Sequence, residues 1–142
     1  MSERLRGQAL LRALEAGDVR VAERGADGAW RVNAWVKEEI LQCFREAGLV
    51  RTVVGDPAHG QFSFVDKSGL GAQQWDVPDG VRVVPGGTAI RAGAHLGKGV
   101  IVMPPAYVNV GAFVDEGSMV DSHALIGSCA QIGKRVHVSA AA

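Results

Sequence analysis

The sequence predicts a mainly β chain with an α/β N-terminal part, its second half wound as a parallel β-helix of hexapeptide repeats. Three observations predict it. An aliphatic residue recurs at every sixth position, at Val84, Ile90, Leu96, Val102, Val108, Val114, Val120, Ile126, Ile132 and Val138. Two residues earlier the side chain is usually small, as at Thr88, Ala94, Ala106, Ala112, Ser118, Ala124 and Ala130, with Arg82 breaking the rule. A third phase holds Gly87, Gly93, Gly99, Gly111 and Gly117, where a permissive backbone can turn a corner. With about a quarter of the chain Val, Ile or Leu, ten consecutive hits arise by chance on the order of a few times in a million. A helix steps about 100° per residue, so six residues never rebuild one stripe, whereas short strands with regular bends return to the same face.

The elements follow in order. "RLRGQALLRALEAG" sets Leu10, Leu11 and Leu14 among charges and closes on glycine, which predicts a short helix. "VRVAERGADGAWRVN" gives two short β-type runs around an Asp-Gly turn, a hairpin. "AWVKEEILQCFREAG" returns to helical spacing through Trp35, Ile40, Leu41 and Phe44, closed by Gly48. Residues 49–80 read as an irregular connection with one strand at "QFSFV". The expected division is an N-terminal α/β domain over 1–80 and an incomplete β-helix over 81–142. Three hexads make one triangular coil, so the helix is expected to be truncated after about three coils. Each part alone has a marginal core, so the two are expected to pack together or rely on an oligomer.

Composition excludes several classes of function. Lys plus Arg and Asp plus Glu both total 15, leaving no basic field for nucleic acid or an anionic membrane. No apolar run approaches the roughly 18 residues of a membrane span, and "MSERLRGQAL" has no signal-peptide apolar segment. A cytoplasmic chain is the expectation, with Cys43 and Cys129 as reduced thiols, since they form neither a C-x-x-C pair nor a disulfide framework.

Three segments, "GAWRVNAWVKEEILQCFR", "GVRVVPGGTAIRAGAHL" and "VMPPAYVNVGAFVDEGSMVDSHALIGSCAQIGKRVHVSAAA", closely resemble the tetrahydrodipicolinate N-succinyltransferase family of the diaminopimelate and lysine route. The resemblance covers roughly residues 15–142, and the run "MPPAYVNVGAFVDEGSMVD" followed by "GSCAQIGK" singles this family out from other hexapeptide acyltransferases. It implies a left-handed β-helix, a homotrimer with active sites in grooves between neighbouring helices, and transfer of succinyl from succinyl-CoA to the amino group of a ring-opened dicarboxylate. No permanently bound cofactor is implied, succinyl-CoA being a co-substrate.

The resemblance also implies site residues. Arg82, in "GVRVVP", matches the family's dicarboxylate-binding arginine, whose guanidinium can grip a carboxylate bidentately; from the residues alone it reads equally as a solvated charge before the first coil. Asp121, in "MVDSH", matches the catalytic, substrate-contacting aspartate, which could orient the amine or take its proton. The competing reading is a corner residue, because Asn109, Asp115 and Gly127 share its phase. Asp115 and Glu116 fit a solvated corner better than a second substrate contact, and His123 stands where some relatives have Trp. No metal site is expected: His95, His123 and His137 are separated by 28 and 14 residues, neither a multiple of the coil. Cys129 reads as a small packing residue. In the family the CoA site and a second acidic residue lie on coils beyond "VHVSAAA", so the opposing expectation is a catalytically silent fragment of the β-helix.

Overall fold

The computed structural model describes residues 4–142, so the first three residues of the expected N-terminal part lie outside the described region. Helix α1 (Gly7–Ala16) forms because residues 8–16 are good helix formers without a β-branched member, and it buries Leu10, Leu11 and Leu14. Gly17 ends it at φ 82°, a left-handed turn that a Cβ would strain. Strands β1 (Ala22–Arg24) and β2 (Trp30–Val32) pair antiparallel as expected. Helix α2 (Ala34–Glu46) buries Val36 and Ile40, with Trp35 and Phe44 packed alongside. Leu41, expected to point inward, is exposed, since it lies about 100° round the helix from Ile40.

Residues 49–67 are more regular than the expected connection, and the strand placed at "QFSFV" is one arm of what they form. They form one long antiparallel hairpin, β3 (Leu49–Asp56) against β4 (Gly60–Lys67), registered from Leu49↔Lys67 to Asp56↔Gly60. Almost all of it is exposed, so burial imposes no alternation on β3, and only Phe62 and Phe64 of β4 alternate with polar Gln61 and Ser63. Its base is fixed by Arg91, a largely buried side chain that pairs with Asp66 and donates to the Leu70 carbonyl and the Tyr107 hydroxyl. The same guanidinium lies 5.0 Å from the Phe44 ring centroid. Arg91→Met is expected to lower stability by about 2 kcal/mol, less than a fully buried pair because Asp66 is partly solvated. Chemical denaturation measures it; a loss below about 0.5 kcal/mol would show that the hairpin is anchored elsewhere.

From residue 82 the chain winds as ten two-residue strands: β5 (Arg82–Val83), β6 (Ala89–Ile90), β7 (His95–Leu96), β8 (Ile101–Val102), β9 (Tyr107–Val108), β10 (Phe113–Val114), β11 (Met119–Val120), β12 (Leu125–Ile126), β13 (Gln131–Ile132) and β14 (His137–Val138). They stack in parallel on three sides, in the orders β5–β8–β11–β14, β6–β9–β12 and β7–β10–β13, which makes about three turns of a parallel solenoid. The second residue of each strand points inward, and Ile90, Leu96, Val102, Val108, Val114, Val120 and Ile126 are buried in one column with Ala94, Ala106, Ala112 and Ala124. Ser118 occupies the same small-residue phase and is buried, its hydroxyl donating to the Gly133 carbonyl and accepting from the Val136 N–H.

One position departs from the six-residue frame. Val83, not Val84, pairs with Val102 and packs on the core, so the step to Ile90 is seven residues. The extra residue is taken up at Pro85–Gly86–Gly87, where Gly86 and Gly87 have φ 139° and 92°. This slip explains why Arg82 broke the small-residue rule: Val81 holds that phase, and Arg82 stands outward in register with Ile101.

The N-terminal part packs onto the solenoid. Val110 is buried with Leu10, Leu11, Leu14, Val36 and Ile40, and Cys129 packs against the same cluster. On the outer face of β10, Phe113 is sandwiched between His95, 4.3 Å centroid to centroid, and the Arg20 guanidinium, 3.7 Å from its ring. The side β7–β10–β13 is thereby covered, leaving other outer faces available.

Candidate functional site

Arg82 and Asp121 fall on the same side of the triangle. Arg82 heads an outward column with Ile101, Met119 and His137, each in register with the next across β5, β8, β11 and β14. Asp121 follows β11 directly, its N–H bonded to the Val138 carbonyl in the parallel ladder. Two strand spacings, roughly 10 Å, and a further two residues along the strand direction separate the backbones of Arg82 and Asp121. The two side chains do not touch, and the Arg82 guanidinium has no bonding partner among the described residues. An arginine and a carboxylate so spaced can hold a carboxylate and an amine of one small molecule rather than neutralise one another.

The corner reading of Asp121 is half right. Oδ1 accepts the N–H of Ser122 at 2.8 Å, as Asp115 does for Glu116 and Asn109 for Val110, both also at 2.8 Å. Oδ2 differs from its counterparts, for it lies 3.0 Å from Nε2 of His137 on the next coil. The Ser122 N–H first, and His137 second, hold the Asp121 carboxyl below the usual carboxylate range. The contribution of these bonds to folding is therefore present above the ordinary carboxylate pKa and lost as pH falls through the lowered value.

His137 was weighed from the sequence only as a metal ligand. Its 16-residue separation from Asp121, one coil less two, is the signal that could have found the pair. Two residues back along the chain is one step along the same outer face, so the side chains meet diagonally across adjacent strands.

The remaining candidates fall elsewhere. His123 and Cys129 continue the glycine phase as corners, with φ 62° and 66°, followed by Arg135 at 52°. The His123 side chain is exposed. The Cys129 thiol packs on the N-terminal core, and burial pushes its pKa up, as it does for Cys43. Both are free thiols, and a raised pKa suits packing rather than attack. Asp115 completes its corner and Glu116 pairs with Lys134 at 3.1 Å. His95 is taken up by Phe113 and by the Glu15 carbonyl, 2.8 Å from Nδ1. A depression of about 310 Å³ lies between the start of α1 and α2, lined by Arg6, Glu38, Gln42 and Arg45 among others, away from the Arg82 and Asp121 side. Among the described residues no helix is long and apolar enough to cross a membrane.

Residues 7–45 match the family described as tetrahydrodipicolinate N-succinyltransferase N-terminal. Among similar proteins is the 2,3,4,5-tetrahydropyridine-2,6-dicarboxylate N-succinyltransferase of Bradyrhizobium diazoefficiens, 45% identical over 137 residues, which are 94% of this chain and 47% of that protein. The protein of the same name from Paramagnetospirillum magneticum is 44% identical over 95% of this chain and 48% of its own length. That from Rhodopseudomonas palustris is 46% identical over 89% and 44% respectively. The chain thus spans about half the length of the curated relatives it matches, and the resemblance drawn from its motifs stands.

Proposed function

We propose that this chain, similar along nearly its whole length to the N-terminal portion of the tetrahydrodipicolinate N-succinyltransferases, supplies the acceptor side of an N-succinyltransferase active site. The observation that carries the reading is the shared outer face, which sets Arg82 and the second carboxylate oxygen of Asp121 on one side of the solenoid. The reaction joins the succinyl group of succinyl-CoA to the amino group of a ring-opened tetrahydrodipicolinate. Arg82 holds a substrate carboxylate by its two parallel N–H donors. Asp121 faces the amine, which must present a lone pair to the thioester carbonyl. No resident cofactor is required, since the acyl donor arrives as a co-substrate.

An outer sheet face is one wall and not a pocket, so the second wall is assigned to a neighbouring copy in a homotrimer. The CoA arm is assigned to the part of the relatives that this chain does not span. Metabolite chemistry of this kind, and the absence of a long apolar helix among the described residues, fit a cytoplasmic setting.

The test is thiol release from succinyl-CoA in the presence of the cyclic dicarboxylate. Residues 1–142 joined to the C-terminal half of the Bradyrhizobium diazoefficiens relative are expected to turn over in the ordinary range of about 1 to 10³ per second. Residues 1–142 alone are expected to be silent, a reading favoured by their spanning under half of that relative. An inactive joined chain that is folded and trimeric would overturn the proposal.

Arg82→Lys in the joined chain separates binding from chemistry. Lysine keeps the charge but loses the planar fork, so the Michaelis constant for the dicarboxylate is expected to rise about tenfold, with turnover little changed. An unchanged Michaelis constant would remove Arg82 from the site.

A further inference from the structure

Asp121 is poorly suited to take the amine's proton, because its carboxylate is held anionic by the Ser122 N–H and the His137 ring. A carboxylate stabilised in this way is a weak base near neutral pH. The geometry of His137 is better. Its Nε2 stands 3.0 Å from Asp121 Oδ2, and since an ionised carboxylate only accepts, the ring N–H sits on Nε2. That tautomer leaves a lone pair on Nδ1, and no bond to Nδ1 is present among the described residues.

We propose that His137 is the proton acceptor of the succinyl transfer and that Asp121 is the positioning residue fixing its tautomer and orientation. The proposal deepens the succinyltransfer reading and rests on it. The acceptor enters as the free amine. Its nitrogen forms a C–N bond to the thioester carbonyl carbon, the C–S bond breaks, and the proton leaving nitrogen passes to Nδ1 of His137. The imidazolium then returns that proton to the departing thiolate, so the ring ends as it began.

The surroundings make the proton transfer readable by pH. The ionisable side chain bonded to His137 is Asp121. Along the same face its neighbours are Met119 and Ile101, with Arg82 three strands away and the Glu116–Lys134 pair at the preceding corner.

The experiment measures turnover at saturating substrates against pH, in residues 1–142 joined to the C-terminal half of the Bradyrhizobium diazoefficiens relative. The parent is expected to lose activity on the acid side, because a proton already on Nδ1 removes the acceptor lone pair. His137→Gln is expected to lower turnover by about 10² to 10⁴ and to abolish that acid limb, with the melting curve unchanged. Asp121→Asn is expected to lower turnover and to lose the same limb, because the ring is no longer held with its lone pair on Nδ1. His137→Gln retaining more than about a tenth of turnover, or keeping the limb, would overturn the assignment while leaving the succinyltransfer reading in place. A folded parent with no turnover would remove both together.

Discussion

Asp121→Asn, in residues 1–142 joined to the C-terminal half of a relative, is expected to lower turnover by about 10² to 10⁴ while the melting temperature hardly moves. Asparagine is nearly the same size, and its Oδ1 can keep the corner bond to the Ser122 N–H. Its second group is an NH₂ that would face the Nε2–H of His137, donor against donor. The ring must then turn or move its proton to Nδ1, and either change removes the acceptor lone pair from where the amine would meet it. Asp115→Asn is the control, because Asp115 makes the same corner bond but has no imidazole across the strand. It is expected to leave turnover unchanged. Retention of more than about a tenth of turnover by Asp121→Asn would withdraw this carboxylate from the chemistry and leave it as a corner alone.

The second large effect concerns the fold. Val114 has no exposed surface and lies between Leu96 and Ile132 in the inward column. Val114→Asp would place a carboxylate among aliphatic side chains with no hydrogen-bond donor aimed at it, at a cost of about 4 kcal/mol or more. Against a typical stability of about 5–15 kcal/mol, that is enough to abolish a cooperative melt or bring it close to room temperature. Leu125→Asp is the matched comparison, since Leu125 is 63% exposed and sits one residue before the inward Ile126. It is expected to change stability by no more than about 0.5 kcal/mol in the isolated chain. The pair reads the frame directly, because a one-residue slip would exchange the two outcomes. Equal effects at both positions would rule out the inward column.

How much of this was legible beforehand depends on whether a local pattern or a long-range meeting is in question. The six-residue period fixed the solenoid and nearly all of its core, since every inward position must be aliphatic where three sides close on one axis. The glycine phase located the corners, and the same left-handed backbone continues through His123, Cys129, Arg135 and Ala141. Helices α1 and α2 and the first hairpin were legible too, from stripes of apolar residues and a short turn. Of the long hairpin over 49–67 only the strand at "QFSFV" was legible, because an element exposed on both faces carries little burial pattern.

By itself, then, the sequence determined the repeat, the two-part organisation and the family resemblance, because hexads and helical stripes are set by which side chains must leave water. The tertiary structure alone decided three further things. It moved the first inward residue from Val84 to Val83, a slip that a Pro-Gly-Gly corner absorbs without disturbing the later coils. It put Arg82 and Asp121 on one outer face, although they are 39 residues apart in the chain. It also brought His137 to the free oxygen of Asp121, a meeting that depends on stacking distance and diagonal reach between strands, quantities that a list of residues does not contain.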